Sequence, residues 1–120
     1  MSVLYTIDSK RRVVFTQVVG VVDGEQLHEH QDRLRNDPDF QADMRKLMDC
    51  LELKDAKLKT IVYSHLARSS PWGNRSRRAI VAPSALGFGL LRIFHTLMSG
   101  AHGEIAIFRD LQSAKTWLDL

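Results

Sequence analysis

Hydrophobic and polar positions alternate at the start of the chain: Val3, Tyr5 and Ile7 fall on one face, Ser2, Leu4 and Thr6 on the other. This is the pattern of a half-covered edge strand. "DSKRR" then turns the chain into "VVFTQVVGVV", a β-branched run that is mostly apolar on both faces, and the pair reads as an antiparallel hairpin. Asp23 with Gln26 three residues later has the capping-box spacing of a helix start. That helix is expected to end near Asn36, since Pro38 disfavours helical geometry at Asp37. Its apolar residues are chiefly Leu27 and Leu34, which predicts a helix on the outside of the domain.

Beyond it, three short apolar runs, "KLM", "AIVA" and "IAIF", do not alternate. Strands buried on both faces have this character, as in a parallel sheet covered by helices on each side. Between the first two, Leu58, Ile61, Val62, His65 and Leu66 recur at i, i+3, i+4, i+7 and i+8, a buried helical stripe. Between the last two, a helix over 85–99 turns Leu86, Leu90, Ile93, Phe94 and Leu97 inward. Asp110 caps a final helix bearing Leu111, Ala114, Trp117 and Leu118. The fold class is therefore α/β, a mixed and mainly parallel sheet in the order β-β-α-β-α-β-α-β-α. Helices lie on both faces and right-handed crossovers are expected. No repeat, low-complexity tract or linker divides residues 1–120.

Composition adds limits to this picture. The chain has 120 residues, 44% hydrophobic and 26% charged, ordinary values for a globular domain. Cys50 is the sole cysteine, so no internal disulfide forms, in keeping with a reducing cytoplasm. The N-terminal stretch lacks signal-peptide layout, and no apolar run reaches the ~18 residues a membrane span needs. A net charge of +3 is too mild to point to nucleic acid.

Candidate chemistry gathers at the carboxyl ends of the strands, where ligands of open parallel sheets bind. Asp49 and Cys50 end a central strand there, Ser84 caps the helix that follows "AIVAP", and Arg109 closes the last strand. Gly87 and Gly89 cost that helix about 1 kcal/mol each relative to alanine. Close packing explains this best. A pocket lip with Phe88 is the alternative, and phosphate binding is the weakest reading because no G-x-x-x-x-G-K motif is present. His28 and His30 stand two apart on a helix and cannot share a metal; His28 with Asp32 offers only two ligands, so a solvated helix face is expected and no metal or cofactor is assigned. His65 is read as a partly buried core residue. The loop "RSSPWGNRSRR" sets Arg68, Arg75, Arg77 and Arg78 around Trp72, the best interaction surface visible in the sequence.

These segments resemble a known group. "RRAIVAPSALGFGLLRIF" is similar to the R-x-A-I-V-A…G-x-x-R-x-F pattern of bacterial SpoIIAA-like (STAS/SEC14-type) small proteins. "IFRDLQSAKTWL" resembles that group's closing segment, and "NDPDF" before a strand ending in Asp49 resembles its middle. The resemblance implies the STAS fold, a βα superhelix with an antiparallel N-terminal strand. It also implies a regulatory role. In the anti-sigma-factor antagonists of that superfamily a Ser after Asp is phosphorylated, whereas here Asp55 precedes Ala56 and no Ser or Thr lies between Asp49 and Lys59. SEC14-type relatives enclose a lipid. The expectation is a non-enzymatic regulatory or protein-interaction module, compatible with a homodimer; the alternative is a carrier or sensor of a small apolar ligand held between helices and sheet edge.

Overall fold

The computed structural model describes residues 3–57, 65, 66, 68–82 and 103–120. Strands β1 (Val3–Asp8) and β2 (Val13–Asp23) form the expected antiparallel hairpin. Asp8 shapes its turn by accepting from the backbone N–H of Arg11 at 3.1 Å and from Arg11 Nε at 2.8 Å. Helix α1 (Gly24–Arg35) starts at the capping box: Asp23 accepts from the Gln26 N–H, and the Gln26 side chain accepts from the Asp23 N–H. Strands β3 (Arg45–Lys57), β4 (Arg77–Val81) and β5 (Glu104–Phe108) and helix α2 (Leu111–Trp117) complete the described elements.

The sheet order is β1-β2-β3-β4-β5, antiparallel at the first pair and parallel at the rest. The non-alternating runs thus lie side by side in one direction, as their composition predicts. Because strand neighbours point to opposite faces, each run feeds two cores. Val18, Met48, Cys50, Ile80 and Ile105 form one with Leu27 of α1. Leu47, Ala79 and Val81 form the other with Ala114 and Leu118 of α2. The sheet is therefore covered on both faces by the described helices.

Three differences from the sequence reading matter. First, β3 does not stop at Asp49-Cys50; it runs to Lys57, with β2 as its partner beyond Asp49. Two register shifts between β2 and β3 accommodate the long pairing, one at Gly20, whose φ of +76° suits glycine. The stretch resembling the phosphorylation segment is thus largely strand. Second, the helices expected between β3 and β4 and over 85–99 fall largely outside the described residues; His65, Leu66 and Arg68 are helical. Ser84, Gly87 and Phe88 also lie outside them. Third, α1 buries more than two leucines, as shown below.

Gly103 marks where the chain enters β5. Its φ is +93°, and a Cβ there would stand 2.5 Å from the Ser76 carbonyl oxygen. The next residue donates to that same oxygen, Glu104 N–H to Ser76 O, at 2.9 Å, so the backbone cannot retreat without breaking the start of the β4–β5 ladder. Gly103→Ala is expected to cost about 2 kcal/mol or more, read as a lowered urea midpoint with unchanged m-value.

Candidate functional site

The strand-end rim is only partly assembled. Asp49, Val81 and Phe108 are level across β3, β4 and β5, so Asp49 and Arg109 do share one end of the sheet. β4 lies between their strands, which separates the backbones by about 10 Å. Asp49 is half-buried and accepts from the Leu51 N–H at 2.9 Å. Cys50, as its strand neighbour, points to the opposite face, where burial pushes its thiol up to about 12; Lys46 opposes that shift and Asp49 reinforces it. Such a thiol is packing, not a nucleophile, and Asp49 and Cys50 cannot line one site.

The basic loop is corrected more strongly. Trp72 is 3% exposed and sits in a core cluster with Val14, Leu34 and Met44. Phe40 meets its ring edge-on at 4.9 Å. Arg78 is buried as well, because it belongs to β4 and alternates with Ile80 on the inner face. Arg77 turns the other way: its guanidinium lies 4.5 Å from the Trp117 ring centroid, donates to the Trp117 carbonyl and reaches Asp119 at 3.4 Å. Arg45 Nη1 donates to the Leu118 carbonyl at 2.5 Å, so two cations complement the C-terminal end of α2. Of the expected surface, Arg68 and Arg75 are exposed. Charge alone predicts exposure for every arginine of the loop, whereas strand alternation decides that Arg77 and Arg78 turn to opposite faces of β4.

A different constellation emerges beneath α1. Leu27, His30, Gln31 and Leu34 are spaced i, i+3, i+4 and i+7, and this polar-centred stripe faces the sheet. His30 is therefore buried, not solvated. His65, expected in the core, is exposed and stacks on His28 with centroids 5.1 Å apart. Under the stripe, Lys46 Nζ shares a hydrogen bond of 3.0 Å with His30 Nε2, and Thr16 Oγ1 lies 3.4 Å from the same nitrogen. Gln31 Nε2 donates to the Leu66 carbonyl at 3.1 Å, while Ser69 Oγ donates to Gln31 Oε1 at 3.2 Å. Lys46, Arg78 and Trp72 join Leu27, Met48 and Ile80 around a cavity of about 40 Å³, room for a few waters or one small ion.

The electrostatics there are unusual. Burial lowers Lys46 to about 7, the positive charge of Arg78 adds to the shift, and Cys50 counters it weakly. Burial, with Lys46 and Arg33 adding to it, holds His30 down at about 2, so its imidazole is neutral. Burial also lowers Arg78, to about 10. Sequence spacing contained a signal for all three: His30 lies on the helical stripe, and Lys46 and Arg78 lie at period two with Met48 and Ile80. No group of three or more metal-ligating side chains occurs among the described residues.

A mixed, mainly parallel sheet with an antiparallel first strand and a helix on each face defines a SpoIIAA-like α/β domain. A solved structure with this architecture is that of an uncharacterised protein of the DUF3478 family from Shewanella loihica PV-4, described as having a SpoIIAA-like fold. The chain is 18% identical to it over 98% of its own length and 94% of the other chain's, with a TM-score of 0.66. No protein-family profile and no curated protein matches the chain. Among the described residues no helix is long and apolar enough to cross a membrane.

Proposed function

We propose that this protein is a non-enzymatic regulatory module of STAS-like fold, in which the charge state or occupancy of the cavity beneath α1 sets how firmly that helix is seated, and thereby what its outer face contacts. One observation carries the reading: α1 docks through His30 and Gln31, polar groups bonded to Lys46, Leu66 and Ser69, instead of through an apolar stripe alone. A purely structural helix gains nothing from this, since buried polar networks are costly when any member changes state. Hydrogen exchange of amides 24–36 tests it. Protection is expected to drop as pH falls through 7, where Lys46 charges, and to be insensitive to pH in Lys46→Met; pH-independent protection in the wild type would remove the switch. Screening hydrolytic substrates against the wild type and Asp49→Asn tests the enzymatic alternative. Turnover that the variant loses would replace the regulatory reading.

A second reading, a carrier of a lipid-like apolar ligand, is favoured by the open groove of about 430 Å³ on the other face of the sheet. Leu4, 51% exposed, borders it with Phe15, Leu47 and Leu111. Native mass spectrometry of protein purified from cells is expected to show a retained lipid-like mass on this reading, and uniformly ligand-free protein would count against it.

A further inference from the structure

Strand β1 is an edge of the sheet: β2 pairs with one side of it, and no described strand pairs with the other. An open groove of about 480 Å³ follows that side, walled by residues 3–7 together with Arg33, Asp37 and Asp39. Successive strand residues point to opposite faces, so what five in a row share is their backbone. The groove is therefore shaped to take up another strand. Such edges are normally guarded by Pro, Lys, a bulge or a very short strand. "VLYTID" has none of these guards. It is six residues long, contains neither Pro nor Lys, and pairs with β2 without a register shift from Val3–Val18 to Asp8–Val13. Its one charge, Asp8, is held by Arg11 Nε at 2.8 Å. Val, Tyr, Thr and Ile favour strands, and Leu4 stands 51% exposed on the face opposite α1.

The charges beside the groove indicate what fills it. β1 runs antiparallel to β2, and α1 returns between the parallel strands β2 and β3, so α1 runs alongside β1 in the same direction. Arg33 comes first along the lip. Asp37 accepts from the Tyr5 hydroxyl at 2.9 Å, and Asp39 follows as the chain heads for Arg45, which is level with Val13 and thus with Asp8. A second copy turned about a two-fold axis reverses this order, which sets each Arg33 against the other's acidic end. Register can be chosen on the same grounds. Residues opposite one another in an antiparallel pair share a face, so self-pairing is centred on a residue. Centred on Leu4, the overlap within β1 shrinks to residues 3–5. Centred on Thr6, it puts Leu4 against Asp8. Centred on Tyr5, it puts Val3 against Ile7, Leu4 against Thr6 and Tyr5 against its own copy, with no charge at any pair.

We infer that β1 is a self-association edge, along which two copies of the chain pair antiparallel about Tyr5 into one continuous sheet. The inference goes beyond the regulatory reading and is independent of the cavity beneath α1. Pairing covers Leu4 with Thr6 of the second copy on one face, and brings Arg33 toward the second copy's Asp37 and Asp39 on the other. One short strand per copy lies at the small end of specific interfaces, so association is weak and depends on concentration.

Sedimentation equilibrium of the chain at concentrations up to about 1 mM reads the association, and the wild type is expected to dimerise. Leu4 and Thr6 are both exposed, so the double variant Leu4→Lys/Thr6→Lys should keep the wild-type circular dichroism spectrum. In the Tyr5 register it sets lysine against lysine, and dimerisation should weaken at least about tenfold. Leu4→Glu/Thr6→Glu should weaken it likewise. Mixing the two variants should restore association as a heterodimer, a result that misfolding of either one could not give. A wild type that stays monomeric throughout would overturn self-pairing and leave the edge to an extended segment of another protein. Dimerisation unchanged in the lysine variant, or no recovery on mixing, would overturn it as well.

Discussion

Replacing Trp72 by alanine is expected to remove about 3–5 kcal/mol of stability, the usual range for truncating a buried Trp. The ring is 3% exposed, packs with Val14, Leu34 and Met44, and meets Phe40 at an interplanar angle of 89°. It also presents its faces to Lys46 and Arg78. Truncation thus removes apolar area, an aromatic pair and the π-surface nearest two buried cations in one step. Domains of this size have total stabilities of about 5–15 kcal/mol, so the variant should be partly unfolded at 37 °C. Urea denaturation followed by circular dichroism measures the loss. Arg75→Ala, on an exposed side chain of the same loop, should change stability by no more than about 0.5 kcal/mol. A Trp72 variant with wild-type stability would return the ring to the surface and dissolve the cavity wall it forms.

Stability should rise with pH across the neutral range and level off near pH 9. In the unfolded chain Lys46 keeps its proton to about 10.5, but in the fold it releases it near 7. Between those values the unfolded state holds more protons, so unfolding free energy climbs by about 1.4 kcal/mol per pH unit. From pH 7 to 9 the gain is about 2 kcal/mol, because Lys46 is already half deprotonated at 7. On the acid side, His30 has an ordinary value of 6.5 and a folded value of about 2. Its contribution is complete above 6.5 and drains away as pH falls below that. Cys50 acts in the opposite sense: its ordinary value is 9.0 and its folded value about 12, so its contribution is lost as pH rises above 9. Denaturant midpoints from pH 5 to 10 read the profile. Lys46→Met should flatten the limb between 7 and 9 and leave the variant at least as stable as the wild type at pH 7, because an apolar side chain then fills a site where a cation was costly. A wild-type profile flat from 7 to 9 would mean that Lys46 is charged and solvated in the native state.

Much of the fold was legible along the chain because its signals are local. The capping box at Asp23 and Gln26 needs only a spacing, and the structure forms both of its hydrogen bonds. The hairpin follows from alternation in Val3–Ile7 and a polar turn, and the parallel order of the later strands from their lack of alternation. The site was less legible because charge was treated as a mark of exposure. Arg78 and Trp72 looked like one basic aromatic patch, yet Arg78 is fixed by β4 alternation and Trp72 by a pocket assembled from β2, α1 and the loop before β3. The end of β3 was also misplaced. Residues 50–57 carry polar residues in a strand whose partner, β2, lies some thirty positions earlier, and no local rule anticipates how far such a pairing extends.

By itself, then, the sequence determined the class of fold, the hairpin, and the helix starts at Asp23 and Asp110. Those properties depend on nearest neighbours or periodicity. Only the tertiary structure decided that Lys46 and Arg78 stand side by side under His30, because that depends on which strands become neighbours and in what register, a choice made by the packing of the whole sheet.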